Sequence, residues 1–120
     1  MPLKRMVMEL GMGTDIRGED YTKASVRAVE NALRQNSLNV ADAFGVSRED
    51  MHVEINLGVQ KPDAVDTLAV QAVLPYGVPT VNVSLGGMDI EKDNSDGCTI
   101  LANAALVVYL DLPDQKGSAG

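Results

Sequence analysis

The spacing of apolar residues along this chain of 120 residues switches between a period of two and a period near 3.6, and this limits the folds open to it. Alternation with a period of two, which is typical of strands, occupies residues 3–10, 51–59 and 80–85. A run rich in Val and Leu over residues 104–112 predicts a fourth strand. A turn of helix before that last strand is compatible with the pattern.

Two stretches between the strands have the period of amphipathic helices. Asp20 fits the N-cap of the first helix, which Asn36 and Ser37 end. Pro62 fits the first turn of the second helix, which ends before Pro75. The apolar positions that recur at three and four residues are Val26, Val29 and Leu33 in the first, and Val65, Leu68, Ala69, Ala72 and Val73 in the second. A brief helical turn is also allowed in the connector 38–44.

The order β-α-β-α-β-β predicts one α/β domain over residues 1–112, with two helices on one face of a four-stranded mixed sheet. Residues 113–120 are expected to form a disordered tail. The uncovered face is expected to mix apolar and polar side chains, namely Val7, Val107 and Tyr109 beside Glu9, Glu54, Asn56, Asn82 and Ser84. Because other copies of the chain are the simplest cover for such a face, we expect a closed homo-oligomer.

Composition excludes several classes of partner. Lys and Arg number 10 against 17 Asp and Glu, and the net charge of -7 repels nucleic acid and anionic lipid. No stretch has the length of a membrane span or the pattern of a signal peptide. The single Cys98 cannot form an internal disulfide, and no basic neighbour activates it. We therefore expect a cytoplasmic protein that binds neither nucleic acid nor membranes.

The stretch from Glu9 to Ala24 concentrates charged residues around three glycines and is the first candidate site. A glycine turn that enters a helix can present backbone N–H groups to an anion or a carbonyl group. The alternative is that the glycines only permit a tight turn, with Asp20 as the cap and the charges solvated. The candidate catalytic residues are Glu9, Asp15 and Lys23, and the candidate ligand-binding residues are Gly11, Gly13, Arg17, Asn56, Asn82, Ser84, Gly86 and Gly87.

Other motifs give weaker functional hypotheses. The glycine spacing matches neither the dinucleotide fingerprint nor a P-loop, so no nucleotide cofactor is expected. His52 and Glu54 share a strand face, but one histidine without a cluster is usually structural. The acidic loop 89–96 fails the calcium-loop pattern. Ser84 has the type of a nucleophile, yet no partner base is identifiable. No metal or cofactor is therefore predicted.

The order of elements resembles the bacillus-type chorismate mutases, whose trimeric architecture is also seen in YjgF-like proteins. This resemblance implies a trimer with pockets between subunits. Those mutases hold a dicarboxylate through arginines, one of them at the start of the last strand, whereas residues 104–112 contain no arginine. The resemblance thus extends to shape and assembly, and it does not extend to the mutase reaction.

Three motifs are similar to a small family of uncharacterised bacterial proteins typified by a Listeria protein, over about residues 5–110. They are G-T-D-I-R-G-E-D-Y-T-K-A from Gly13, L-P-Y-G at 74–77 and S-L-G-G-M at 84–88. The D-Y-T-K-A segment also resembles the repeat units of ring-opening amidohydrolases. The lysine of those enzymes would fall near Met12 and their serine near Asn56 or Leu57, so that resemblance implies a distant relative with altered chemistry.

These observations leave three hypotheses for the function. The first is an enzyme or metabolite-binding protein that takes a small anionic or cyclic-amide-like molecule between subunits. The second is a structural or regulatory homo-oligomer without a ligand. The third is an altered relative of the cyclic amide hydrolases.

Overall fold

A computed structural model describes residues 3–34, 39–93 and 96–112 of the chain. The strands are β1 (Leu3–Asp15), β2 (His52–Val59), β3 (Val78–Leu85), β4 (Met88–Glu91) and β5 (Cys98–Asp111), and the helices are α1 (Tyr21–Leu33), α2 (Val40–Ala43) and α3 (Thr67–Gln71). Single 3₁₀ turns occupy Arg48–Asp50 and Pro62–Ala64. No helix in the described part of the chain is long and apolar enough to span a membrane. The tail 113–120 and the predicted helix end at Asn36 and Ser37 lie outside the described residues.

The strands form one mixed sheet in the order β1-β5-β2-β3, and β4 pairs with the beginning of β5. β5 runs antiparallel to β1, β2 and β4, whereas β2 and β3 are parallel. The predicted α/β class is therefore confirmed, but the prediction of four strands is wrong. The fifth strand, β4, lies where the sequence suggested a polar loop, and Met88 and Ile90 pair there with Leu101 and Thr99.

Two predicted element boundaries also differ from the structure. β5 begins at Cys98, and its first residues pair with β4 and β1, so no helical turn precedes it. The predicted second helix is divided, because Val65 is extended and the Asp66 carboxylate accepts hydrogen bonds from the N–H groups of Leu68 and Ala69. That cap starts α3 after Pro62 has begun only a 3₁₀ turn. The short α2 agrees with the helical turn allowed in the connector.

α1 packs against β1 through a stripe of buried alanines, Ala24, Ala28 and Ala32. Gly11 and Gly13 lie inside β1, opposite this stripe, and not in the turn that the sequence suggested. A Cβ atom at Gly11 would lie 2.6 Å from the backbone nitrogen of Ala32, and one at Gly13 would overlap the backbone of Ala24 and Ala28. The two glycines therefore permit close contact between the helix and the strand.

The other face of the sheet, here termed the open face, is exposed. Its large exposed apolar side chains include Leu3, Met8, Leu10, Met12, Val78, Met88 and Ile90. Its polar residues include Glu54, Asn56, Asn82, Ser84 and Asn103. The expected placement of Val7 and Glu9 on this face is wrong, since they pair with the core residues Val108 and Leu106 on the helix-covered face. A register shift between Arg5 and Val7 separates the two halves of β1.

Candidate functional site

The open face contains a cavity of about 570 Å³ above the middle of the sheet. This volume lies within the range of small-molecule sites in proteins. Its lining comprises the side chains of Leu10, Met12, Asn31, Asn56, Ser84, Asn103 and Ala105, together with Gly11, Leu57, Gly58 and Ala104. β1, β2, β3 and β5 all contribute, and α1 adds Asn31 from beside the edge of β1. None of the lining residues that the structure describes is charged.

Two asparagines in this lining are held by backbone groups. The Asn31 Oδ1 atom accepts a hydrogen bond from the N–H of Met12 at 3.0 Å, and the Asn103 Oδ1 atom accepts one from the N–H of Gly87 at 3.1 Å. A backbone N–H can only donate, so each contact fixes which end of the side-chain amide is the oxygen. Within the described parts of the chain, the two Nδ2 groups have no hydrogen-bond partner, which leaves both as donors at the cavity.

The other two polar side chains of the cavity have used their donors within the protein. Asn56 Nδ2 donates to Glu54 Oε1 at 3.1 Å and to the carbonyl oxygen of Ala105 at 3.3 Å. Ser84 Oγ donates to the carbonyl oxygen of Leu57 at 3.4 Å. Asn82 lies outside the lining, and its Nδ2 donates to Asn56 Oδ1 at 3.3 Å. These contacts form a polar ladder across β2 and β3 in which the lining residues Asn56 and Ser84 keep only acceptor capacity.

Five of the eight predicted ligand-binding residues lie at the cavity or beside it. Asn56, Ser84 and Gly11 line the cavity. Gly86 and Gly87 lie beside it in the turn after β3, where their carbonyl oxygens accept hydrogen bonds from Gln60 Nε2 at 3.0 and 3.3 Å. The sequence reasoning missed Asn31 and Asn103. Asn103 interrupts the apolar alternation of β5, and that interruption was the available signal.

The strand-to-helix turn, residues 15–20, pairs its two aspartates internally. Asp15 is 5% exposed, and its Oδ2 atom accepts a hydrogen bond from the N–H of Asp20 at 2.9 Å. Asp20 Oδ1 in turn accepts from the N–H of Lys23 at 3.0 Å, which confirms the predicted N-cap. Arg27 lies 3.5 Å from Asp15 Oδ1 and donates to the carbonyl oxygen of Thr14. The turn therefore uses its charges to join β1 to α1.

The pKa of Asp15 is lowered from its ordinary value of 3.8. The hydrogen bond from the Asp20 N–H is the largest cause, and the N–H of Gly18 and the charges of Lys23 and Arg27 act in the same direction. Burial opposes them by raising the pKa. A carboxylate held in this way stays ionised at neutral pH, which makes it a weak general base.

The remaining predicted site residues lie apart from the cavity. Glu9 is half-buried on the helix-covered face, whereas Arg17 and Lys23 are exposed beside the turn. Gly13 packs against α1. The structure therefore does not bring Glu9, Arg17 and Lys23 together with Asn56 and Ser84.

His52 and Glu54 line a second, smaller cavity of about 220 Å³ near the end of the open face, with Leu3, Thr80 and Tyr109. Two potential ligands on neighbouring positions of one strand do not enclose a metal ion. Within the described ranges, no group of three or more His, Cys, Asp or Glu residues is placed to hold a metal.

On the helix-covered side, a buried tyrosine and a carboxylate connect α1 to β4. The Tyr21 hydroxyl donates a hydrogen bond to Asp89 Oδ2, and the Asp89 Oδ1 atom is buried without a partner among the described residues. Burial, followed by this hydrogen bond and the charge of Asp89, raises the pKa of Tyr21 to about 12. The pair explains why the first residue of α1 and the short β4 are held together.

Three comparisons with known proteins bear on this chain. A family model described as a conserved hypothetical protein, the Lin0512 family, matches residues 5–108. The crystal structure of an FtsZ-like protein of unknown function from Nostoc punctiforme PCC 73102 is 34% identical, with a TM-score of 0.84, over 93% of this chain and 99% of that one. No curated protein gives a significant match. The family match confirms the sequence-based resemblance to the uncharacterised Listeria-typified family.

Proposed function

The chain belongs to the Lin0512 family of conserved hypothetical proteins, and from the cavity on its open face we propose that it is a homo-oligomeric small-molecule-binding protein. The observation that carries the proposal is the pair of asparagine Nδ2 groups that line this cavity. Their oxygens are held by backbone N–H groups and their donors have no described partner. Polar groups with fixed orientation in a largely apolar cavity are the usual features of a ligand site.

Binding is favoured over catalysis by the composition of the lining. Among the described lining side chains, Ser84 is the one with a hydroxyl, and its proton is donated to the carbonyl oxygen of Leu57. Within residues 3–34, 39–93 and 96–112, no histidine, carboxylate or lysine lines the cavity to act as its base. A serine without a base is a poor nucleophile.

The proposed partner on the open face is a second copy of the chain. Met8, Leu10 and Met12 of β1 are 50%, 60% and 61% exposed, in a row beside the cavity. Apolar side chains in such a row are costly to leave in water. The face carries few charges, so the net charge of -7 does not prevent two copies from meeting there. A second copy would also close the side of the cavity that faces away from the sheet.

The trimer that the resemblance to bacillus-type chorismate mutases implies is the proposed form of this assembly. The element order supports it, with β4 as an addition to the β-α-β-α-β-β pattern. The Asn82–Asn56–Glu54 ladder favours a second candidate, a structural oligomer without a ligand, because these groups are already satisfied by one another.

Measuring the mass in solution by light scattering tests the assembly. We expect the wild-type chain to be an oligomer and Met8→Glu, which places a charge in the apolar row without lining the cavity, to reduce the mass. Leu68→Glu is the matched control, since Leu68 is 72% exposed on α3, away from the open face. A wild-type monomer, or an equal effect of both substitutions, would contradict the proposed interface.

A thermal-shift screen with cyclic amides, dicarboxylates and divalent metal ions tests the binding. A compound that binds only the folded protein raises its melting temperature, and the rise grows with the ratio of its concentration to its Kd. We expect at least one compound to stabilise the wild-type protein and to lose this effect when Ala105→Trp fills the cavity. An intact oligomer that no compound stabilises would favour the structural candidate.

A further inference from the structure

We infer that the cavity takes an uncharged molecule that presents carbonyl oxygens or ring nitrogens to the amide groups of Asn31 and Asn103. This rests on the proposed binding function and narrows the two ligand classes that the sequence left open. The neutral cyclic-amide-like class fits the cavity, and the anionic class does not.

The first argument is the direction of the available hydrogen bonds. Asn31 and Asn103 have their oxygens held by the N–H groups of Met12 and Gly87, and their Nδ2 groups remain as donors. Asn56 and Ser84 have donated their protons to the protein and keep only oxygen lone pairs. A ligand that leaves no group unpaired must therefore offer acceptors to the two amides and can offer a donor to Ser84 or Asn56.

The second argument is electrostatic. An anion buried in this cavity would meet no positive side chain among the described lining residues, all of which are uncharged. The Glu54 carboxylate accepts a hydrogen bond from the lining residue Asn56, and its negative charge repels a negative ligand. Burying an unpaired charge costs much more than burying a neutral amide that forms its hydrogen bonds. A cation is disfavoured too, since the unused Nδ2 groups can only donate.

The third argument concerns shape. Leu10, Met12 and Ala105 supply the apolar part of the lining on β1 and β5. Gly58 in β2 removes a side chain from the floor of the cavity. A small ring compound has apolar faces that pack against the lining and polar edges that accept hydrogen bonds from the two amides.

Matched pairs of a neutral ring and its anionic counterpart test the inference on the full chain. The probes are uracil against orotate, and glutarimide against glutarate. Titrations followed by NMR of the side-chain NH₂ groups report directly on Asn31 and Asn103. We expect the neutral member of at least one pair to shift both NH₂ signals and to bind at least tenfold more tightly than the anionic member.

Isosteric substitutions identify the groups responsible. Asn103→Asp and Asn31→Asp each keep the oxygen that accepts from the backbone and replace only the free donor by a carboxylate oxygen. We expect each to weaken binding of the neutral probe by tenfold or more. Asn39→Asp adds the same charge at the exposed N-cap of α2, where the side chain makes no capping hydrogen bond, and should leave binding unchanged.

The outcomes distinguish this inference from the function on which it rests. Tighter binding of orotate or glutarate in the cavity would overturn the neutral ligand class while keeping a binding protein. Neutral probes that shift signals elsewhere, or equal losses with Asn39→Asp, would also overturn it. If none of the four probes shifts the two NH₂ signals, the inference fails, and the thermal-shift screen then decides whether the proposed function fails with it.

Discussion

The strand-to-helix turn and the open-face cavity differ in how they use their polar groups. The turn has several charged side chains, of which the buried Asp15 and the exposed Asp20 are paired with backbone N–H groups or with Arg27. In the part of the chain that the structure describes, the cavity has no charged lining, yet two of its amides keep free donors. The comparison shows that unsatisfied hydrogen-bonding capacity marks a candidate site better than the local density of charge does.

The largest effect is expected from substituting a glycine of β1. Gly13→Ala places a methyl group against the backbone of α1 and should destabilise the fold by about 3 kcal/mol, measured by chemical denaturation. Gly45→Ala is the control, because nothing lies within 4 Å of its Cβ position and only its φ of 68° opposes the change. We expect that control to cost about 1 kcal/mol. If Gly13→Ala costs no more stability than the control, the contact with α1 does not explain this glycine, and Gly13 becomes a candidate site residue again.

A smaller effect is expected at the buried tyrosine that follows the turn. Tyr21→Phe keeps the ring but leaves the Asp89 carboxylate without its donor, and should cost about 2 kcal/mol. Because the pKa of Tyr21 is raised from 10.0 to about 12, the wild-type stability from this group is complete below pH 10 and falls as the pH rises toward 12.

Chemical denaturation of the wild-type protein and of Tyr21→Phe between pH 8 and pH 12 checks this dependence. The difference between their free energies of unfolding should decrease above pH 10. Tyr109→Phe on the open face is the control, since its hydroxyl makes no hydrogen bond within the described ranges and its loss should change stability little. If Tyr21→Phe and Tyr109→Phe lose equal amounts of stability, the loss comes from the surroundings of the ring and not from the hydrogen bond between Tyr21 and Asp89.

Asp15→Asn is expected to cost about 1 kcal/mol at neutral pH, because it removes the charge from the hydrogen bonds of the turn. The pKa of Asp15 is lowered in the folded protein, so its stabilising contribution is present above pH 3.8 and is lost as the pH falls through the lower folded value. The variant should therefore show a flatter acid limb in thermal denaturation. An unchanged acid limb would show that the turn does not depend on this charge.

The smallest effect is expected from Arg17→Ala. Arg17 is exposed in the bend after β1, and its loss should change stability by less than about 0.5 kcal/mol. It should also leave binding of the neutral probes unchanged, in contrast to Asn103→Asp. If Arg17→Ala loses binding in the same NMR titration, the binding site lies at the strand-to-helix turn and not in the open-face cavity.

Much of the fold could be predicted from periodicity and capping. The Asp20 cap, β2 and most of β3 follow patterns that depend on residues close in the chain. β4 could not be predicted, because its four residues form a strand only by pairing with β5. The start of α3 was missed since the Asp66 cap competes with the helical preference of Pro62.

The candidate site was predictable only in part. Asn56 and Ser84 were found because their strands alternate regularly, which fixes their face. Glu9 was misplaced because a charge suggested an uncovered face, whereas the contact of Gly11 and Gly13 with α1 sets the orientation of β1. Asn31 could not be assigned to the site without knowing that α1 passes the edge of β1. Tertiary contacts of this kind leave no local pattern.

The position of β5 has a consequence for synthesis on the ribosome. β5 holds β1 on one edge and β2 on the other, and its pairs with β1 run from Leu3 with Asp111 to Asp15 with Ile100. Of the five described strands, β1 is synthesised before the others and β5 after them. β1 therefore has no neighbour in the sheet until β5 has been synthesised. During that interval the backbone N–H and C=O groups of β1 have no strand partner, and the sheet closes in one late step.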